Sequence, residues 1–119
     1  MNLIRRTLAI VVLAGACLAL GATQASAANC NPPTYRSGQG YFTSLKVTRT
    51  SCSTGSRVAR AHYSCRTKNG KSGRCSRRVL NFRCSESRPS SQRTADEYNA
   101  RVTCRRGSRR VVFTYQQNL

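Results

Sequence analysis

The stretch Tyr98-Asn99-Ala100-Arg101-Val102-Thr103-Cys104-Arg105-Arg106-Gly107-Ser108-Arg109-Arg110-Val111-Val112-Phe113-Thr114-Tyr115-Gln116 decides the fold. Strand side chains alternate between two faces, so Ala100, Val102 and Cys104 share one face before the Gly-Ser pair, and Val111, Phe113 and Tyr115 share one face after it. A two-residue type II′ turn takes glycine first. At Gly107-Ser108 such a turn sets Cys104 opposite Val111, Val102 opposite Phe113, and Ala100 opposite Tyr115. Each pair is apolar on both strands, which predicts a tight antiparallel hairpin.

Working towards the N-terminus, Val79 to Cys84 is predicted as a strand with Leu80, Phe82 and Cys84 on one face. Tyr41 to Arg49 alternates as a first strand, with Tyr41, Thr43, Leu45 and Val47 on one side and Phe42, Ser44, Lys46 and Thr48 on the other. Between them, Thr50 to Thr54 supplies N-cap candidates and Asn69-Gly70 supplies a stop. Val58, Ala61, His62 and Cys65 recur at helical spacing while Arg57, Arg60 and Arg66 point elsewhere, so one helix is predicted over Cys52 to Thr67. Lys68 to Ser76 and Ser85 to Asp96 read as polar loops, the second holding Pro89 and lying in or beside all three acidic residues, Glu86, Asp96 and Glu97. The expected fold is α+β: a small disulfide-stapled antiparallel sheet with one packed helix, in β-α-β-β-β order. Its inward set is Leu45, Val47, Val58, Leu80, Phe82, Val102, Val111 and Phe113.

The start of the chain follows the export pattern. Arg5 and Arg6 precede an apolar stretch from Leu8 to Leu20, and small residues end in Ala25-Ser26-Ala27. Residues 1–27 are therefore expected to be a removed signal peptide, and its apolar run falls short of the roughly 20 residues a transmembrane helix needs. Cys17 lacks the lipobox spacing for lipid attachment, and the long Leu/Val core favours ordinary export over the twin-arginine route that Arg5-Arg6 partly matches. The expected organisation is an N-terminal arm over 28–40, carrying Pro32, Pro33, Gly38 and Gly40 and pinned by Cys30, followed by a single basic, disulfide-rich domain over 41–119. No later segment is hydrophobic enough to anchor it.

Beyond residue 27 the cysteines are Cys30, Cys52, Cys65, Cys75, Cys84 and Cys104. An even set in a short exported chain reads as a disulfide framework. Six cysteines allow 15 connectivities, and the helix cysteines Cys52 and Cys65 are expected to join strand or loop cysteines and so staple helix to sheet. There is no C-x-x-C pair, and the only histidine, His62, has no ligand spacing around it, so neither metal nor cofactor is expected.

Charge dominates what remains. The chain carries a formal net charge of +18, and beyond residue 27 there are 16 arginines to 3 lysines. Such a charge attracts anionic polymers, whether nucleic acid, wall polymer or lipid head groups, and arginine's planar fork adds bidentate phosphate contacts. The same arginine excess also follows from a GC-rich genome and from the need for solubility. Arg105, Arg106, Arg109 and Arg110 flank the predicted turn and are the first candidate anion contacts; Arg74, Arg77 and Arg78 are the second. The five tyrosines, without any tryptophan, are better read as core or strand residues than as a carbohydrate platform.

The runs Cys52 to Cys65, Gly73-Arg74-Cys75, Phe82-Arg83-Cys84 and Tyr98 to Gly107, continuing to Tyr115, resemble small secreted cysteine-containing proteins of high-GC Gram-positive bacteria. The resemblance implies export and the fold unit, and no activity. The leading expectation is a secreted, extracellular or wall-associated monomer, non-enzymatic, that binds anionic polymers or surfaces through arginine clusters. The alternative is a secreted inhibitor or toxin-like protein presenting the Ser85 to Asp96 loop to a protein target. A third reading is a ribonuclease in which His62 meets Glu86 or Glu97 through tertiary contact.

Overall fold

The computed structural model describes Gly15, residues 26–35 and residues 39–119. The elements run β1 (Ala28–Cys30), β2 (Gly40–Thr48), α1 (Cys52–Thr67), β3 (Arg83–Ser87), a 3₁₀ turn (Ser90–Gln92), β4 (Glu97–Arg106) and β5 (Arg109–Asn118). The expected signal peptide, with the lipid-attachment and twin-arginine readings, lies outside the described residues apart from Gly15 and the Ser26-Ala27 end. Among the described residues no helix is long and apolar enough to cross a membrane.

The β4–β5 hairpin forms in the expected register, with Cys104, Val102 and Ala100 opposite Val111, Phe113 and Tyr115. Gly107 takes φ +57°, a left-handed conformation that costs glycine nothing. β5 is the central strand of a five-stranded antiparallel sheet ordered β1-β2-β5-β4-β3. Its inward residues Val111, Phe113 and Tyr115 are fully buried, and β2 brings Leu45 and Val47 alongside Phe113 and Val111.

The helix spans the predicted residues. Ser51 caps it, its Oγ accepting a hydrogen bond from the Thr54 N–H at 3.1 Å. Gly70, at φ +95°, follows its end. The helix lies so close to the sheet that a Cβ on Gly55 would come within 2.6 Å of Val47 Cγ1. Val58, Ala59, His62, Cys65 and Arg66 complete its buried face.

There are three disulfides: Cys30–Cys52, Cys65–Cys75, and Cys84–Cys104, the last linking the adjacent strands β3 and β4. Both helix cysteines take strand or loop partners as expected, but only Cys52, bonded to Cys30 of β1, staples the helix to the sheet; Cys65 bonds Cys75 in the loop that follows the helix.

Four details depart from the sequence reading. β2 carries an irregularity between Phe42 and Ser44, so Phe42 joins Leu45 and Val47 inside while Tyr41 is exposed. Val79 and Phe82 close a two-residue turn in which Leu80 (φ +47°) and Asn81 (φ +65°) both turn left-handed. Simple alternation fails across such a turn, so Val79 and Phe82 are buried and Leu80, expected inside, is exposed. β3 then runs on through Ser87, converting part of the expected Ser85 to Asp96 loop into strand and turning Glu86 inward. At the other edge Ala28–Cys30, read as arm, pairs with Leu45 to Val47 as a strand.

Candidate anion-binding site

The two strands that leave the Gly107-Ser108 turn place Arg106 opposite Arg109 and Arg105 opposite Arg110, all exposed. Because Cys104 and Val111 point to the helix, alternation sends Arg105 and Arg110 to the uncovered side of the sheet and Arg106 and Arg109 to the helix side. β3 adds Arg83 as the cross-strand partner of Arg105. A row Arg110–Arg105–Arg83 thus crosses three adjacent strands at about 4.8 Å spacing.

The left-handed Leu80-Asn81 turn stands beside this tip and divides two clefts. One, of about 410 Å³, is lined by Arg78, Asn81, Arg83, Arg105, Arg106 and Gly107. The other, of about 310 Å³, is lined by Thr54, Arg57, Leu80, Asn81, Phe82, Arg106 and Arg109. Arg106 and Asn81 serve both. Six arginines therefore converge on one end of the molecule, and no carboxylate lines either cleft. Glu97 begins β4 where Arg106 ends it, about 30 Å away along a ten-residue strand.

Of the expected anion contacts, Arg105, Arg106, Arg109 and Arg78 meet in these clefts, and Arg110 extends the row on the uncovered side. Arg74 goes elsewhere, its Nη1 3.6 Å from Glu86 Oε2, and Arg77 is exposed outside both clefts. Arg57 and Arg83 belong to the cluster but were not singled out from sequence. Only the strand order, which puts β3 beside β4, and the helix start over the tip bring them in.

A second polar cluster lies between helix and sheet. Glu86 ion-pairs with Arg88 Nε at 2.5 Å, accepts a hydrogen bond from the Tyr115 hydroxyl at 2.6 Å, and stands 3.9 Å from His62 Nε2. Arg88 also donates to the carbonyls of Ser72 and Gly73. Burial pushes the His62 pKa down to about 4, against the opposing pull of Glu86, and burial pushes the Tyr115 hydroxyl well above the usual tyrosine range. The contact between His62 and Glu86 that a ribonuclease reading needs is present. Yet His62 is 2% exposed, it packs edge-on against Phe113, and neither residue lines the arginine clefts. A general acid or base must reach its substrate, and this pair is enclosed.

Arg66, expected on the helix surface, is instead buried in the same interior. It donates to the Tyr35 and Tyr98 hydroxyls, Gln117 Oε1 and the Lys71 carbonyl. The segment assigned to a protein-inhibiting role is anchored from within by Glu86 and Arg88, and residues 89–96 form its continuous exposed stretch.

Fold and surface together define a small, disulfide-stapled α+β protein in which six exposed arginines line two clefts at one end. Comparison with protein-family models, curated proteins and solved structures found no match.

Proposed function

We propose that this chain is an exported, non-enzymatic binding module for anionic polymers or surfaces, engaging them at the arginine clefts around the Gly107-Ser108 and Leu80-Asn81 turns. The convergence of Arg57, Arg78, Arg83, Arg105, Arg106 and Arg109 without a lining carboxylate carries this reading. Like charges brought together by opposed strands destabilise a hairpin slightly unless an anion neutralises them, and guanidinium groups bind phosphate oxygens in a bidentate manner. Three disulfides support the exported setting, because such bonds form and persist in oxidising compartments.

Binding of the disulfide-bonded protein to RNA, DNA, wall polymer and anionic vesicles across a salt series tests it. The expected result is binding near physiological salt that weakens as salt rises and is lost in an Arg105→Ala/Arg106→Ala/Arg109→Ala/Arg110→Ala variant. Equal behaviour of variant and parent rules out the tip. Salt-resistant association with a single protein instead supports an inhibitor.

A further inference from the structure

Among the described residues the helix covers one face of the sheet and the other is bare. Cross-strand register assembles that bare face in rows: Thr48–Arg110–Arg105–Arg83, then Asn29–Lys46–Val112–Thr103–Ser85, then Ser44–Thr114–Arg101–Ser87. Lys46, Arg83, Arg101, Arg105 and Arg110 are all exposed on it. A shallow depression of about 110 Å³ over Val112 is lined by Ala27, Lys46, Thr48, Arg101 and Arg110. Further along the same face, Arg101 also borders a groove of about 340 Å³ with Thr43, Gln92, Asn99 and Thr114. Cations thus alternate with hydroxyl and amide groups from the hairpin tip down the strands.

Resting on the polyanion reading above, we propose that this uncovered face binds a polyol-phosphate polymer, a chain of phosphodiesters joined by hydroxylated spacers. The guanidinium and ammonium groups take the phosphates, and Thr48, Thr103, Ser85 and Asn99 hydrogen-bond the spacer hydroxyls. Charge complementarity argues for a phosphate backbone. The absence of rings at the centre of the face argues against nucleobases: single-stranded nucleic acids are held by aromatic stacking platforms. Among the described residues the aromatic side chain on this face is Tyr41, which lies opposite Gln116 at the far end from the arginine row, its hydroxyl donating to Gln116 Oε1 at 2.8 Å. Contacts confined to phosphate and hydroxyl carry no base information.

The test measures binding of the disulfide-bonded protein to poly(glycerol phosphate) and, separately, to single-stranded RNA of matched charge, at physiological salt. Two variants divide the surface: Lys46→Ala/Arg101→Ala on the bare face and Arg78→Ala/Arg106→Ala in the cleft. Thermal melts check that each variant stays folded, and Lys46→Arg/Arg101→Lys keeps the charge. The expected result is tenfold or greater loss of poly(glycerol phosphate) binding in the bare-face variant, near-full affinity in the charge-keeping variant, and tighter binding of poly(glycerol phosphate) than of RNA. Loss in the cleft variant alone overturns the bare-face site while leaving the polyanion reading intact. Preference for RNA overturns the polymer class. Failure of the parent protein to bind either polymer, or wall polymer, DNA and anionic vesicles, overturns both readings.

Discussion

The Arg66 guanidinium carbon lies 3.9 Å from the centroid of the Tyr115 ring, so a fully buried cation in the last turn of the 16-residue helix is stacked on a fully buried aromatic of the sheet. Its hydrogen-bond acceptors, two tyrosine hydroxyls, a glutamine side chain and a backbone carbonyl, are neutral. Cation–π attraction and charge-assisted hydrogen bonds together offset the cost of removing the charge from water. Arg66 therefore ties α1 to β4, β5, Tyr35 and the loop at Lys71.

Removing that tie should be costly. Arg66→Ala leaves a cavity and unpaired polar groups, and is expected to lower unfolding free energy by about 3 kcal/mol. Arg66→Lys keeps charge but loses the planar fork and stacking, and is expected to cost about 1–2 kcal/mol. Urea unfolding of the disulfide-bonded variants checks both. A loss under about 1 kcal/mol in Arg66→Ala contradicts the role.

The interior histidine makes stability depend on pH. His62 has an ordinary pKa of 6.5 when unfolded and about 4 when folded, because burial disfavours its charged form. As pH falls below 6.5 the unfolded chain takes up a proton and the folded chain does not. The stability present above pH 6.5 is therefore lost progressively down to about pH 4, by about 2 kcal/mol between pH 7.5 and pH 5. His62→Leu should flatten this window in denaturant titrations at the two pH values. An unchanged slope in that variant assigns the loss to other groups.

The hairpin register, the helix limits and the existence of a disulfide framework were legible because each rests on simple rules: alternation, capping and cysteine parity. Arg66 was not, because its spacing alone cannot tell a solvated cation from one enclosed by tyrosines that arrive from β4, β5 and the N-terminal segment. Leu80 misled for a different reason. Alternation assumes extended backbone, and two consecutive left-handed residues, one of them a leucine, give no apolar pattern to read. The arginine site was half legible: the tip follows from the hairpin, whereas Arg57 and Arg83 depend on strand order.

The Cys30–Cys52 bond should hold the edge of the sheet. β1 contributes only three residues to pairing, too few for independent stability, and the disulfide fixes their position against α1. Cys30→Ala/Cys52→Ala is expected to cost about 2–3 kcal/mol and to remove amide-exchange protection from β1 while the β4–β5 hairpin stays protected. Loss of protection throughout would mean that β1 is part of the cooperative core.

At the hairpin tip, stability and binding should pull in opposite directions. Arg105 faces Arg110 on one neighbour and Arg83 on the other, and Arg106 faces Arg109, so the tip holds five like charges on three strands. Opposed like charges weaken strand pairing by roughly 0.2–1 kcal/mol each, and salt screens them. Arg105→Thr, which removes the central charge and supplies a β-branched residue, is expected to raise the melting temperature by a few degrees at low ionic strength and by less at high salt. The same change should weaken polyanion binding. Conversely, a bound polyanion should raise the melting temperature of the parent protein more than that of Arg105→Thr, since a ligand stabilises only as far as it prefers the folded state. Thermal melts of both proteins, with and without polyphosphate, check the pair of effects. A destabilised Arg105→Thr in low salt shows that the arginines are already neutralised within the fold, and removes the strain argument for a ligand at the tip.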